Sequence, residues 1–278
     1  MDKKETIIEV KDAKKLFRKL GACSSTMYYI LNREFGQQRE IEVRAAEPLA
    51  GGIMQNGYQC GMLWGSVMAA GAEAFRRFPD QGRATAVAII AAQKLMASFQ
   101  NRTGGIDCID VTQTDWHNKF SIAKFMLTGK FLSCFRLIEN WAPEAINAAY
   151  EGLSDGKVAY SPPPLSCAYE VAKKLGAGAE EAMTVAGFAG GMGLSGGGCG
   201  VLAAAVWWKS LEWCRNNPKK SSFNNPAAKK VVETFMQETD CEFLCSKITG
   251  KQFGTVEEHS EFLRGGGCGR VMGVLAGV

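Results

Sequence analysis

Histidine is nearly absent from this 278-residue chain, with only His117 and His259, and no Cys-x-x-Cys occurs anywhere in it. The first scarcity, together with long intervals between cysteines, makes a zinc-finger reading poor, and the two histidines read as surface or packing residues. The second leaves covalent c-type haem, which needs Cys-x-x-Cys-His, without support. β-Branched alternation is also scarce, so the chain reads as all-α. Its formal charge of +4 comes from dispersed Lys and Arg. Without a long basic block or an interleaved aromatic platform, nucleic-acid binding is not expected. Met1 to Leu20 is charged and helical in character, with no apolar h-region and no small-residue cleavage site. No secretory signal is therefore expected, and the expected location is cytoplasmic.

A long apolar span is missing as well. Ala182 to Trp208 carries no charge over 27 residues, but its eight glycines between Gly187 and Gly200 argue against a membrane helix, since consecutive glycines form helix poorly. A buried Gly-rich loop running into a buried helix is the expected structure. Gly191-Met192-Gly193-Leu194-Ser195-Gly196 satisfies Gly-x-Gly-x-x-Gly, yet it follows a helical pattern instead of a strand. The corresponding stretch Gly52-Ile53-Met54-Gln55-Asn56-Gly57 lacks the motif. No nicotinamide site is expected from it.

What the chain has is cysteine, ten in all. Cys23, Cys60, Cys108 and Cys134, at intervals of 37, 48 and 26 residues, are matched by Cys167, Cys199, Cys241 and Cys268 at 32, 42 and 27. The flanking residues agree. Leu49-Ala50-Gly51-Gly52 precedes Cys60 at the offset at which Phe188-Ala189-Gly190-Gly191 precedes Cys199, and Glu73, Arg76 and Pro79 recur as Glu212, Arg215 and Pro218. The chain is a tandem duplication of a helical repeat of about 135–145 residues, too long for a solenoid unit. Residues 1–152 form the first copy, 153–164 a Ser/Gly/Pro-rich linker, and 165–278 a second copy truncated at the C-terminus. Cys214, whose counterpart is Phe75, is set aside as a core residue, and Cys245 less firmly so.

Apolar periodicity with glycine stops predicts helices over Ser24 to Phe35 and Ala168 to Leu175. Buried helices are predicted over Met62 to Phe78 and Val201 to Trp213, and further helices over Ala84 to Gln100, Pro226 to Glu238 and Phe135 to Gly152. The spacing of Gly61, Gly65 and Ala69 suits close helix packing, and Trp207, Trp208 and Trp213 read as core. The first two cysteines of each copy fall at helix starts, where the macrodipole favours the thiolate needed for metal ligation or nucleophilic attack.

An isolated Cys, a Gly-rich approach to a Cys-Gly-Ala-x-x-Gly motif opening an apolar helix, and two further isolated cysteines resemble the redox-active family named C-GCAxxG-C-C. Cys60-Gly61-Met62-Leu63-Trp64-Gly65 departs from that motif by Met for Ala. Cys199-Gly200-Val201-Leu202-Ala203-Ala204 has Val for Ala and Ala for the last Gly. The resemblance implies a small helical redox domain in two copies, without implying a settled reaction.

Three chemistries suit these cysteines. Each set could ligate an iron-sulfur cluster, [2Fe–2S] or [4Fe–4S], for electron transfer to a redox partner protein. Gly51, Gly52, Gly61, Gly190, Gly191 and Gly200 would then let backbone N–H groups approach sulfur. The alternative is thiol–disulfide or peroxide chemistry with Cys60 and Cys199 attacking, or Cys241 and Cys245 acting as a local dithiol. The third reading is a structural zinc or interaction module. A homodimer sharing ligands stays open, as does the choice between an oxidoreductase and an electron-transfer subunit.

Overall fold

The structure is a computed structural model that describes residues 10–154 and 160–278. Fifteen α-helices, two short 3₁₀ turns and no strands are found among the described residues, so the chain is all-α. Helices α1 (Ala13–Leu20), α2 (Cys23–Glu34), α3 (Glu40–Ala45), α4 (Gly61–Arg77), α5 (Gln81–Thr103), α6 (Cys108–Thr112), α7 (Lys119–Leu127) and α8 (Phe131–Ser154) make the first repeat. The second comprises α9 (Cys167–Lys174), α10 (Ala179–Thr184), α11 (Gly200–Asn216), α12 (Pro226–Glu238), α13 (Cys245–Thr249), α14 (Val256–Arg264) and α15 (Gly269–Ala276). Helix α8 begins four residues earlier than its apolar pattern suggests and takes in Cys134. Of the expected linker, Leu153 and Ser154 end α8 and residues 155–159 lie outside the described ones. Residues 1–9 of the expected N-terminal helix also lie outside them.

The central helices are α4 and α11. Every residue from Gly61 to Ala74 is buried, as is every residue from Gly200 to Trp208, the signature of a helix apolar on all sides and covered on all sides. Gly65 lets α2 cross α4 closely, because a Cβ there would stand 2.0 Å from the Ser24 carbonyl oxygen. The spacing of small residues on α4 is thus a packing device. Trp207 and Trp208 are core, and the Trp208 indole donates to the Leu175 carbonyl.

The repeats exchange contacts reciprocally: α3 of the first packs on α11 of the second, while α10 of the second packs on α4 of the first. Polar groups fix the exchange. Arg44 donates to the carbonyls at the C-terminal end of α11, where a cation is favoured, and the Glu47 carboxylate accepts from the Ser222 N–H at 2.7 Å. The rings of Trp64 and Phe188 meet edge to face with centroids 4.6 Å apart, a geometry that contributes roughly 0.5–1.5 kcal/mol beyond its area. One hydrophobic core runs through both repeats, and no helix among the described residues is long and apolar enough to cross a membrane.

Candidate functional site

Cys23, Cys60, Cys108 and Cys134 line one apolar cavity of about 170 Å³, the size that takes a benzene-sized guest. Each comes from a helix start: Cys23 is the first residue of α2, Cys60 caps α4, Cys108 opens α6, and Cys134 lies in the first turn of α8. Between them stand Phe17, Trp116, Phe125 and Phe131, with Phe223 contributed by the second repeat, and no charged side chain lines the space.

Two backbone pairings join the second and third cysteines. The Cys60 N–H donates to the Ile106 carbonyl at 2.8 Å and the Cys108 N–H to the Tyr58 carbonyl at 2.7 Å. In the second repeat the same pairings are Cys199 N–H to Phe243 and Cys245 N–H to Gly197, at 2.8 and 2.7 Å. The third cysteine of that repeat is therefore Cys245, and the structure does not bring the sequence-predicted Cys241 to the site. Cys241 is exposed, with φ +61°, in the left-handed turn after α12. Cys167, Cys199, Cys245 and Cys268 feel one another's charge at the ends of α9, α11, α13 and α15. A signal for Cys245 was present: Thr249 follows it by four residues, as Thr112 follows Cys108, and each hydroxyl donates to its cysteine's carbonyl.

Between the first and second cysteines the backbone turns left-handed for five residues, from Gly51 to Gln55 and again from Gly190 to Leu194. Side chains in this region cost roughly 1–2 kcal/mol each, and Ile53, Met54, Gln55, Met192 and Leu194 all adopt it. The turn brings the Gly51 N–H onto the Cys23 sulfur and the Gly190 N–H onto that of Cys167. Gly52 and Gly191 lie where a Cβ would meet the backbone of Tyr58 at 2.3 Å and of Gly197 at 2.6 Å. At Gly61 a Cβ would stand 2.6 Å from the Cys23 sulfur, and at Gly200 one would stand 2.0 Å from the Phe188 carbonyl oxygen. The Gly-x-Gly-x-x-Gly stretch is part of this turn and follows no strand.

A family model described as putative redox-active protein (C_GCAxxG_C_C) matches residues 22–145 and, again, residues 166–278. The chain belongs to this family. No curated protein and no solved structure matches the chain. In this C-GCAxxG-C-C chain, then, Gly61 of the first motif makes room for sulfur and Gly65 for the neighbouring helix. The second motif has Ala204 in place of that last glycine.

Electrostatics separate the thiols of the first C-GCAxxG-C-C site. Cys23 and Cys60 share a sulfur–sulfur hydrogen bond, the largest influence on either. It holds Cys23 below its ordinary pKa and drives Cys60 well above, so of the two sulfurs Cys23 is the more readily ionised. The Gly51 and Ser24 N–H groups add to the lowering at Cys23. Burial, with Cys23 adding its field, pushes Cys108 and Cys134 up to about 12. In the second site burial raises all four thiols, Cys268 to about 12. The Cys199 sulfur keeps N–H groups from Val201 and Leu202. No group of three or more His, Cys, Asp or Glu among the described residues is arranged to hold a single metal ion.

The two sites are joined by side chains. Gln59, fully buried beside Cys60, donates to the Gly191 carbonyl and accepts from the Gly198 N–H, each at 2.9 Å. The Tyr58 ring stacks on Phe243 at 4.9 Å, and these are the residues whose carbonyls hold Cys108 and Cys199. His117 is exposed, and His259 is buried on α14 with Nδ1 3.2 Å from the Leu165 carbonyl oxygen. Neither lines the first cavity.

Proposed function

We propose that each repeat holds an iron-sulfur cluster on four thiolates and that the chain passes electrons between the two centres and a redox partner protein. The ligands are Cys23, Cys60, Cys108 and Cys134 in the first repeat and Cys167, Cys199, Cys245 and Cys268 in the second. The observation that carries the reading is the first cavity: four thiols from four helix starts, no charged side chain, and the Trp116 indole N–H turned toward the Cys108 sulfur. Thiols pushed up by burial ionise when a bound cation supplies the charge the walls lack. Thiolate-only donors select soft or cluster metals, and a benzene-sized space ringed by sulfur suits a body larger than one ion.

A bound cluster supplies reversible one-electron storage. The protein's part is to hold the potential and exclude water. The N–H groups of Gly51, Ser24 and Met62 point at the Cys23 and Cys60 sulfurs and stabilise added negative charge, as do the positive ends of α2 and α4. Phe17, Phe125, Phe131 and Phe223 keep the cavity dry. Gln59 and the Tyr58–Phe243 stack give the two sites a short packed connection.

A second reading, thiol–disulfide exchange in the first repeat, is favoured by the pairing of the Cys23 and Cys60 sulfurs. There the roles differ from the sequence expectation: Cys23, the more readily ionised sulfur, would attack and Cys60, raised by burial and by Cys23, would resolve. Anaerobic absorption and electron paramagnetic resonance before and after dithionite decide between the two. The cluster reading expects a brown protein that bleaches on reduction. A colourless protein that forms a reversible Cys23–Cys60 disulfide under mild oxidation supports the second instead.

A further inference from the structure

Six large hydrophobic side chains stand exposed among the described residues, and five of them, Ile109, Phe120, Met126, Leu127 and Leu132, fall between residues 109 and 132. Phe120 and Leu127 are 87% and 88% exposed. Only Phe125 of α7 is buried, and it forms part of the wall of the first thiol cavity. The outer face of this helix is therefore bare apolar surface directly over the site, beside the half-buried Cys134.

The fold does not require this. Helix α14 is its counterpart in the second repeat by position in the chain, beginning eleven residues after Cys245 as α7 does after Cys108. It docks through buried Val256, His259 and Ser260, and where α7 exposes Phe120 and Leu127 it exposes Glu257 and Arg264. The apolar surface belongs to one repeat only. Its charge is mainly basic: Lys119, Lys124, Lys130 and Arg136 stand against Asp110 and Asp115 at one edge and Glu139, paired with Lys14, at the other. Helix α1, packed on α8, adds exposed Lys15, Arg18 and Lys19.

We infer that the α7–α8 face is the docking surface for an electron-carrier protein that presents an apolar centre ringed by carboxylates, and that the first repeat alone receives it. This rests on the redox reading above. Small contacts with complementary charge suit transient electron-transfer encounters, in which charge sets the association rate. A bilayer is the poorer occupant, because α7 has only nine residues and exposed Lys124 stands beside Phe120 and Leu127 on its outer face.

The test titrates the full chain by calorimetry with two probes, a small acidic ferredoxin and a basic cytochrome c, at low and at high salt. Expected is at least tenfold tighter binding of the acidic carrier, weakening as salt rises. The double variant Phe120→Asp/Leu127→Asp should lose that preference while its helical circular dichroism and its reduction by dithionite stay unchanged. The inference is overturned if neither carrier binds, if both bind alike, or if the double variant binds the acidic carrier undiminished. It is also overturned if the variant instead abolishes a dimer or sedimentation with anionic phospholipid vesicles. A chain that dithionite cannot reduce defeats the redox reading separately, whatever the titrations show.

Discussion

At the scale of single residues, the space around sulfur decides what each position tolerates. Gly61→Ala would drive a methyl to 2.6 Å from the Cys23 sulfur and 2.9 Å from the Ala50 backbone, so the variant should lose the first centre, read as lost iron, along with some stability. Gly200→Ala meets no sulfur, only Phe188, whose carbonyl oxygen would lie 2.0 Å away. It should destabilise the chain by roughly 1–3 kcal/mol, as overpacking does, read from the denaturant midpoint. Asp107, beside Cys108, offers a pH signature. Burial, with Asp110 adding to it, raises its carboxyl to about 6. The charged form is thus disfavoured in the folded chain, and stability falls as pH rises from the unfolded value through 6. Asp107→Asn should raise the melting temperature at pH 7.5 and leave it unchanged at pH 3.5. An equal gain at both would place the cause elsewhere.

At the scale of elements, the helices were legible because period and punctuation agree: Pro226–Glu238 is a helix at its predicted ends, and α2, α4, α9 and α11 begin within one residue of theirs. Seven of the eight cysteines drawn from spacing reach a site. Cys241 does not, because spacing alone ranked it with Cys108, whereas the backbone pairing of Gln59 with Asp107 recurs as Gly198 with Leu244 and selects Cys245. That pairing joins residues far apart in the chain and leaves no periodic trace. The left-handed turns were equally illegible, since Ile53 and Gln55 are not residues that announce a positive φ. Gln55→Gly should relieve one strained position and stabilise the chain by about 0.5–1 kcal/mol, seen as a higher denaturant midpoint at unchanged slope.

At the scale of the whole molecule, duplication has produced two unequal halves of one body. The sequence separates them with a linker, but the reciprocal exchange of α3 and α10 and the insertion of Gln59 beside Gly191 and Gly198 join them through a shared core. The full chain should therefore unfold in a single calorimetric transition, and either half expressed alone should expose the surface its partner covers and self-associate. Two separated transitions would show that the halves are independent. The surfaces are unequal as well: α7 exposes apolar and basic side chains beside the first site, while its counterpart α14 exposes charged ones. Such an arrangement suits one site that meets a partner and one that exchanges electrons internally through Gln59 and the Tyr58–Phe243 stack. The central claim is that two sets of four thiols, the second containing Cys245, each hold a cluster. The most direct measurement is iron and acid-labile sulfide per chain in anaerobically prepared wild type, Cys241→Ser and Cys245→Ser. The account predicts two clusters in the wild type and in Cys241→Ser and one in Cys245→Ser. Absence of iron and sulfide from the wild type, or loss on substituting Cys241 instead of Cys245, would contradict it.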